Sequence, residues 1–246
     1  MVVRAARRIF HRFLEARGYY VRSYAVLPYG VEYLVDIDRL SKQWNLAIRI
    51  FFDVGANLGG TTRAALKAFP DAQVVAFEPI PDIFSRLRRA VGPEPRFAPY
   101  QVALGEICGL VPFFENDEMS SLVPNSPRPT SSRAPSRLTV ECCTLDAFCV
   151  EHKISHVDVL KIDAEGCELM VFRGSKKMLA EKRVRFIYAE FHAIESDDPK
   201  VQMTTFVPLY RHLAEFGFEF VATYTDWYPA DRSAPMIANA LFVLPP

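Results

Sequence analysis

One short glycine-rich segment constrains the fold of this chain more than any other feature. Residues 51–62 read Phe-Phe-Asp-Val-Gly-Ala-Asn-Leu-Gly-Gly-Thr-Thr, an apolar run followed by a tight turn and then by helix-forming residues. The pattern predicts a strand that enters a helix through a loop where a ligand approaches the backbone, because glycine has no Cβ. In open α/β sheets such loops lie at the carboxyl ends of strands and bind nucleotides. We therefore expect an α/β fold with an adenosine-type cofactor at this loop.

A second apolar strand follows and also ends in an acidic residue. Residues 74–79 read Val-Val-Ala-Phe-Glu-Pro, and Glu78 follows the glycine turn at the spacing of a strand–helix–strand unit. At this position of a dinucleotide fold a carboxylate binds the ribose hydroxyls. We expect Glu78 to accept two hydrogen bonds from a ribose, with Pro79 beside the adenosine. Val102 and Ala103, at the tip of the third predicted strand, would flank the adenine.

The residue at the second glycine position of a dinucleotide fingerprint is Asn57. A pyrophosphate requires bare backbone there, so the pattern favours a cofactor without phosphates, such as S-adenosylmethionine. We expect backbone N–H groups of the turn to bind its carboxylate, and Asp53 to bind its ammonium group directly or through water. The predicted cofactor-binding residues are Asp53, Gly55, Ala56, Asn57, Gly59, Thr61, Glu78, Pro79, Val102, Ala103 and Asp163.

Strands and helices alternate along most of the chain, which predicts a parallel sheet covered by helices. The expected strands are 49–54, 73–78, 97–104, 157–163 and 184–191, and the expected helices are 60–69, 81–91, 165–181 and 204–216. The last two strands, 218–224 and 239–244, are joined by a loop without a helix, which predicts one antiparallel strand. The predicted class is a Rossmann-like class I methyltransferase fold, with a seven-stranded, mostly parallel sheet, its last strand antiparallel, and helices on both faces.

The amino-terminal residues 1–48 are expected to pack on the core of the methyltransferase domain, 49–246. They contain a basic amphipathic helix at 2–17 and alternating residues at Val31–Leu40, which predict a short edge strand or hairpin. The basic helix could pack on the domain edge, cover a substrate or make a peripheral contact with an anionic membrane.

An insertion is expected at about 105–143 within the methyltransferase domain. It contains a probable hairpin at Leu110–Glu115 and the segment Ser120–Arg137, with six serines, four prolines and three arginines. Such a composition predicts little regular structure.

Composition argues against several classes of protein. The 29 basic and 29 acidic residues cancel, whereas a protein that binds long nucleic acid usually has a net basic surface. No apolar run reaches the roughly 18–20 residues of a membrane span, and no apolar region follows the basic amino terminus as in a secretory signal. The odd number of cysteines, without Cys-x-x-Cys spacing, indicates reduced thiols. The five cysteines are Cys108, Cys142, Cys143, Cys149 and Cys167. We expect a cytoplasmic protein with no nucleic-acid partner and no transmembrane segment.

Charged residues cluster at the tips of the fourth and fifth predicted strands. Lys161 and Asp163 share one strand face, and a buried lysine requires a partner such as Asp163, Glu190 or a substrate oxygen. Glu190 and His192 end the next strand, so these groups converge at the carboxyl edge of the sheet. Such a group can deprotonate a hydroxyl, or Asp163 and Glu190 can hold Mg²⁺ that acidifies it. The expected catalytic residues are His192 as the base, with Asp163, Glu190, Lys161 and Glu165.

Taken together, several motifs resemble the FkbM family of class I methyltransferases. They are Phe52–Gly59, Phe77-Glu78-Pro79, Ser120-Ser121-Leu122, Thr144-Leu145-Asp146 and Leu160–Glu168. The resemblance implies S-adenosylmethionine as cofactor and O-methylation of a hydroxyl on a sugar, a glycolipid or another natural product. The implied partner is a small-molecule, oligosaccharide or glycolipid acceptor.

Two other functions remain open at this point. The first is a nicotinamide-dependent reductase on the same sheet, against which stand Asn57 and the lack of a Tyr-x-x-x-Lys pair. The second is a non-catalytic protein that binds S-adenosylmethionine and contacts a partner through its basic helix. The sequence does not identify the acceptor, the metal dependence or the oligomeric state.

Overall fold

The structure, a computed structural model, describes Leu14, Arg17 and residues 27–115, 136–192, 204–227 and 237–246. The predicted basic helix at 2–17 lies outside the described residues, apart from Leu14 and Arg17. The segment Ser120–Arg137 also lies outside them, apart from its last two residues.

Strands and helices alternate as the sequence predicts. Within the described ranges the strands are β1 (Ile50–Val54), β2 (Gln73–Phe77), β3 (Phe97–Tyr100), β4 (Ala103–Leu104), β5 (Gly109–Glu115), β6 (Ser136–Cys143), β7 (Val157–Ile162), β8 (Val184–His192), β9 (Glu219–Trp227) and β10 (Ile237–Val243). The helices are α1 (Tyr33–Gln43), α2 (Gly60–Ala68), α3 (Pro81–Val91), α4 (Leu145–Glu151), α5 (Glu168–Arg173), α6 (Lys176–Ala180) and α7 (Phe206–Glu215). Of these helices, none combines the length and the apolar character that a bilayer-spanning segment requires.

Seven strands form the central sheet, in the order β3-β2-β1-β7-β8-β10-β9. The first five strands in this order, β3, β2, β1, β7 and β8, run parallel to one another. β10 is antiparallel to both of its neighbours, β8 and β9. This order confirms the predicted class I methyltransferase architecture. It places the tips of β1, β2, β7 and β8 along one edge, where ligands bind in open α/β sheets.

Apolar side chains alternate between the two faces of the sheet and form a core on each. Phe52 and Leu160 pack on one face, beneath α4, α5 and α7. Phe51 and Val159 pack on the other face, beneath α1 and α2. The sheet is therefore buried on both faces, which explains the near-continuous apolar runs of its parallel strands.

The expectation of an edge strand or hairpin at Val31–Leu40 is wrong, because this segment enters α1. Leu34, Ile37 and Leu40 repeat every three residues and are buried against the sheet. A short segment of this kind fits periods of two and of three to four residues equally well, so tertiary burial decides between them.

Two other predicted elements are divided in the structure. The strand expected at 97–104 ends at Tyr100, and Ala103–Leu104 pairs instead with β6 in a separate sheet. The helix expected at 165–181 starts only at Glu168 and is interrupted at Gly174 and Ser175, which separate α5 from α6. A Cβ at residue 174 would overlap the main-chain carbonyl of Gly105, so the backbone packs closely against Gly105 at this interruption.

The small second sheet lies within the predicted insertion and has the order β4-β6-β5. β5 and β6 pair antiparallel in a register that includes Phe113 opposite Leu138. Phe113 and Val111 pack with Ile80 and Ala103 in a separate apolar cluster. The insertion is therefore attached to the main domain beside the tip of β2.

Candidate active site

The bend after β1 joins three strand tips. Gly55 has a φ of +72°, and a Cβ there would overlap the main-chain carbonyl of Asp163 at the end of β7. The N–H groups of Gly55 and Ala56 donate to the Phe77 carbonyl at the end of β2, over 3.1 and 3.0 Å. These two amides are therefore used within the protein, and binding of a cofactor carboxylate by the backbone of the turn stays a prediction for its other N–H groups.

Glu78 is held at the mouth of this bend. Its Oε2 accepts the N–H of Asn57 and its Oε1 accepts the N–H of Ile80, both over 3.0 Å. Burial raises the pKa of Glu78 above its ordinary value, against these two hydrogen bonds, which lower it. Each carboxylate oxygen keeps a second lone pair. The oriented carboxylate can therefore accept hydrogen bonds from two adjacent hydroxyl groups.

A cleft opens beside Glu78 and contains about 700 Å³ of space, its open mouth included. Its polar lining comes from Asn57, Glu78, Asp163 and Glu165, and its apolar lining includes Pro79, Ile80, Ile83, Val102, Ala103 and Phe113. One end therefore offers apolar surface for a planar base and the other offers carboxylates.

Lys161 lies beneath the cleft and pairs with two carboxylates. Its Nζ is 3.2 Å from Oδ1 of Asp53 and 3.4 Å from Oδ2 of Asp163. It also donates to the Gly55 carbonyl over 3.1 Å. Burial alone would lower the pKa of Lys161, but Asp53 and then Asp163 raise it above its ordinary value. The lysine is therefore a buried cation, as the sequence requires.

Asp53 does not line the cleft. Its side chain is fully buried, and its second oxygen accepts the Thr62 hydroxyl over 2.7 Å. The carboxylate thus satisfies Lys161 and the start of α2, so direct contact with a cofactor ammonium group is not compatible with this position.

Three other predicted cofactor residues serve the packing of the bend. A Cβ at Gly59 would lie 2.7 Å from the side chain of Leu87, so α3 rather than a ligand requires this glycine. Ala56 packs in the same small cluster as Leu87. The Thr61 hydroxyl hydrogen-bonds Tyr33. None of the three lines the described cleft.

The carboxylates at the tips of β7 and β8 differ in their roles. Glu168 is fully buried, and its Oε1 accepts the N–H groups of Ala164 and Gly166 over 3.0 and 3.1 Å, which shapes the turn before α5. Glu190 is 8% exposed, and Asp163 is the carboxylate that reaches the cleft, with a 37% exposed side chain. Burial, followed by the charges of Asp163, Glu165 and Glu168, raises the pKa of Glu190 well above its usual value.

His192, the predicted base, is the last residue of β8 and is 1% exposed. Its main-chain N–H donates to the Thr204 carbonyl over 2.8 Å, and its side chain is not part of the cleft lining. The position of the imidazole therefore differs from that expected for a base that reaches an acceptor hydroxyl.

The structure gives no support to the predicted Mg²⁺ site. No group of three or more His, Cys, Asp and Glu side chains within the described ranges could hold a metal ion. Asp163, one of the two predicted ligands, is already paired with Lys161.

Several residues of this region are not predicted from the sequence. Phe113 of β5 lines the cleft. Cys167, which the sequence analysis does not place in the site, lines it as well. The ring of Tyr33 in α1 stacks on Tyr188 with centroids 3.8 Å apart. Burial and the nearby Asp53 raise the pKa of the Tyr33 phenol. No local motif marks these positions, since each depends on a contact between distant segments.

Comparisons with known proteins agree with this architecture. A model of the methyltransferase FkbM domain matches residues 53–220. The chain is 27% identical over 182 residues to the 2-O-methyltransferase NoeI of Sinorhizobium fredii, a match that covers 68% of this chain and 74% of NoeI. It is 31% identical over 152 residues to the hexuronic acid methyltransferase AglP of Haloferax volcanii, covering 61% of this chain and 58% of AglP.

Among solved structures, the N-terminal domain of human METTL16 in complex with SAH superimposes with a TM-score of 0.45 at 13% identity. The superposition covers 87% of this chain and 69% of that domain.

Proposed function

This chain belongs to the FkbM methyltransferase family, and we propose that it transfers a methyl group from S-adenosylmethionine to a sugar hydroxyl. The acceptor would be a free sugar, an oligosaccharide, a glycolipid or a related natural product. The names of NoeI, a 2-O-methyltransferase, and AglP, a hexuronic acid methyltransferase, support an oxygen acceptor on a carbohydrate.

The observation that carries the proposal is the Glu78 carboxylate, oriented by the N–H groups of Asn57 and Ile80 at the edge of the cleft. It suits the two ribose hydroxyls of an adenosine, and the apolar lining that includes Ile80 and Phe113 suits the adenine. The methionine end would then extend toward Asp163.

The same contacts argue against the nicotinamide-dependent reductase. The amides of Gly55 and Ala56 bind the Phe77 carbonyl and that of Asn57 binds Glu78. A dinucleotide pyrophosphate is normally bound by free amides of this turn. In this chain those three amides are used internally, which leaves a cofactor without phosphates as the better match.

When bound, S-adenosylmethionine supplies a methyl group already activated by its sulfonium. The protein mainly has to align the acceptor oxygen and exclude water. A sugar hydroxyl also requires a proton acceptor. We assign this role to Asp163, which lines the cleft with a 37% exposed side chain and is held by Lys161; Glu165 also lines the cleft, and Glu190 is nearly buried. His192 is assigned no direct contact, since its side chain is buried.

Mg²⁺ is not part of the proposal, because Asp163 pairs with Lys161 and Glu190 is nearly buried. Activity retained in EDTA would agree with this assignment. The cytoplasmic location, the membrane contact of the basic helix, the lack of a nucleic-acid partner and the domain boundaries stay predictions.

The test is methyl transfer to carbohydrate acceptors. The protein is incubated with methyl-labelled S-adenosylmethionine and a glycan extract of its host, and labelled products are analysed by mass spectrometry and linkage analysis. We expect an O-methyl sugar, and a rate of its formation lower by about 100-fold or more in Asp163→Asn. Label on protein, on nucleic acid or on no acceptor, or calorimetric binding of NADH in place of S-adenosylhomocysteine, would contradict the proposal.

A further inference from the structure

We propose that Lys161 is a positioning residue for methyl transfer, which acts through Asp163 by fixing that carboxylate against the bend at Gly55. The inference rests on the proposed function in one respect: it takes Asp163 as the residue that faces the acceptor. It goes beyond that function because Lys161 is buried beneath the cleft and is not one of the residues that line it.

The geometry shows a single ammonium group shared by two strand tips. Lys161 projects from β7 and lies 3.1 Å from the Gly55 carbonyl, 3.4 Å from the Val54 carbonyl, and 3.2 and 3.4 Å from the carboxylates of Asp53 and Asp163. Val54 and Gly55 end β1, whereas Asp163 ends β7. The lysine therefore links the bend to the carboxylate across the boundary between the two strands.

This arrangement leaves half of the Asp163 carboxylate available. Oδ2 faces Lys161, and the side chain as a whole is 37% exposed toward the cleft. Lys161 itself is only 5% exposed. A carboxylate held on one side by a buried cation has few alternative orientations, so its other oxygen can present a lone pair at a fixed place.

The surrounding charges make this restraint necessary. The groups that face Lys161 and Asp163 come from every element packed around them: Tyr33 of α1, Asp53 of β1, Glu165 of the turn, Glu168 of α5 and Glu190 of β8. All of them are acidic. Because the pKa values of Tyr33 and Glu190 are raised, repulsion of Asp163 would come mainly from the carboxylates of Asp53 and Glu165. Lys161 offsets this repulsion on the side of Asp163 that faces it.

The test has to separate a role of Lys161 in positioning from its role in fold stability. Replacement of a buried ion pair by apolar residues of similar size is often neutral or stabilising, whereas removal of one partner leaves a buried charge. The variant Lys161→Met alone would leave the fully buried carboxylate of Asp53 without its cationic partner. The test therefore uses Asp53→Asn as its parent, because asparagine can turn its carbonyl oxygen toward Lys161 and donate its amide N–H to the Thr62 hydroxyl oxygen.

On the Asp53→Asn parent, Lys161→Met and Asp163→Asn are made singly and together, which forms a double-mutant cycle. We expect Lys161→Met to lower kcat by about 100-fold, with the KM for S-adenosylmethionine changed by less than about threefold. Because Lys161 acts through Asp163, the same change should lower kcat less than about threefold when Asp163→Asn is present. Effects that multiply, or an unchanged kcat, would overturn the proposal.

A second measurement requires no acceptor and therefore separates this inference from the proposed function. Calorimetry gives the affinity ratio of sinefungin, which carries an amino group in place of the methylated sulfonium, to S-adenosylhomocysteine. A fixed Asp163 should favour the amine, and Lys161→Met should reduce that ratio about as much as Asp163→Asn does. A ratio unaffected by Lys161→Met would overturn the inference. Normal ratios in a protein that methylates no sugar would contradict only the proposed function.

Discussion

The α-carbon of Gly55 lies directly against the main-chain carbonyl of Asp163, so the bend after β1 touches the tip of β7 with no side chain between them. The contact joins the two central strands of the sheet at the edge where the cleft opens. It brings Lys161 within reach of both tips. The shape of the cleft floor therefore depends on the absence of a single methyl group.

Gly55→Ala should abolish cofactor binding, because the new methyl group would force β1 and β7 apart. The matched control is Gly92→Ala, since Gly92 also has a positive φ, +73°, but has open space where a Cβ would be. Gly92→Ala should lose about 1–3 kcal/mol of unfolding free energy from backbone strain, and Gly55→Ala should lose more because of the added overlap. Calorimetry with S-adenosylhomocysteine should show lost binding only for Gly55→Ala, and equal affinities in the two variants would contradict the role of this contact.

Glu78→Gln should weaken S-adenosylhomocysteine binding about 10- to 100-fold, the usual worth of a charge-assisted hydrogen bond. Since burial raises the pKa of Glu78, the carboxylate takes up a proton at a higher pH than an ordinary glutamate. The affinity of the unmodified protein should therefore fall as the pH decreases from 8 toward about 5, whereas that of the variant should stay flat. Titrations at several pH values provide the check, and parallel curves would remove Glu78 from the ribose site.

Glu190→Gln should stabilise the protein at alkaline pH. The pKa of Glu190 is raised in the folded state, so its ionised form opposes folding above that pKa, and the penalty disappears below the ordinary value of about 4.3. The melting temperature of the variant should exceed that of the unmodified protein by a few degrees at pH 8, with the gap closing toward pH 4. Glu94→Gln is a control with the opposite expectation. Hydrogen bonds from Arg96 lower the pKa of Glu94, so its ionised form favours folding and its loss should not raise the melting temperature. A gain of equal size in both variants would refute this account.

Asp36→Ala should destabilise the attachment of α1. The carboxylate of Asp36 is buried and accepts the Gly30 N–H over 2.9 Å and the Tyr224 hydroxyl over 2.7 Å. Its removal leaves both donors unpaired, at a cost of about 3 kcal/mol. Asp38→Ala, which breaks only an exposed pair with Lys42, should cost less than about 0.5 kcal/mol. Urea denaturation measures both, and equal losses would contradict the importance of burial.

The main sheet was predictable from the sequence because its signals are local. A run of apolar residues with a turn at each end determines each parallel strand, and Glu78 follows its strand at a fixed spacing. The helix α1 was not predictable in this way, since Val35 and Ile37 fit a period of two whereas Leu34 and Ile37 fit that of a helix, and burial against the sheet decides between them. The same applies to Ala103, whose partner strand lies far along the chain in β6.

The sequence predicted many of the residues at the site, but not which of them contact one another. The sequence indicates that Lys161 needs a partner, but only the register of β1 and β7 places Asp53 directly beside it. That pairing removes Asp53 from the cleft and gives Asp163 the exposed position. Gly59 looked like part of a ligand loop, although its close contact is with Leu87 in a helix more than twenty residues away.

The strand β5 belongs both to the insertion and to the wall of the cofactor cleft. Phe113 lines that cleft, and the pairing of β5 with β6 ties the two ends of the segment 116–135 together, since Glu115 is opposite Ser136. A change of sequence between residues 115 and 136 that keeps this pairing would therefore leave Phe113 and its side of the cleft in place.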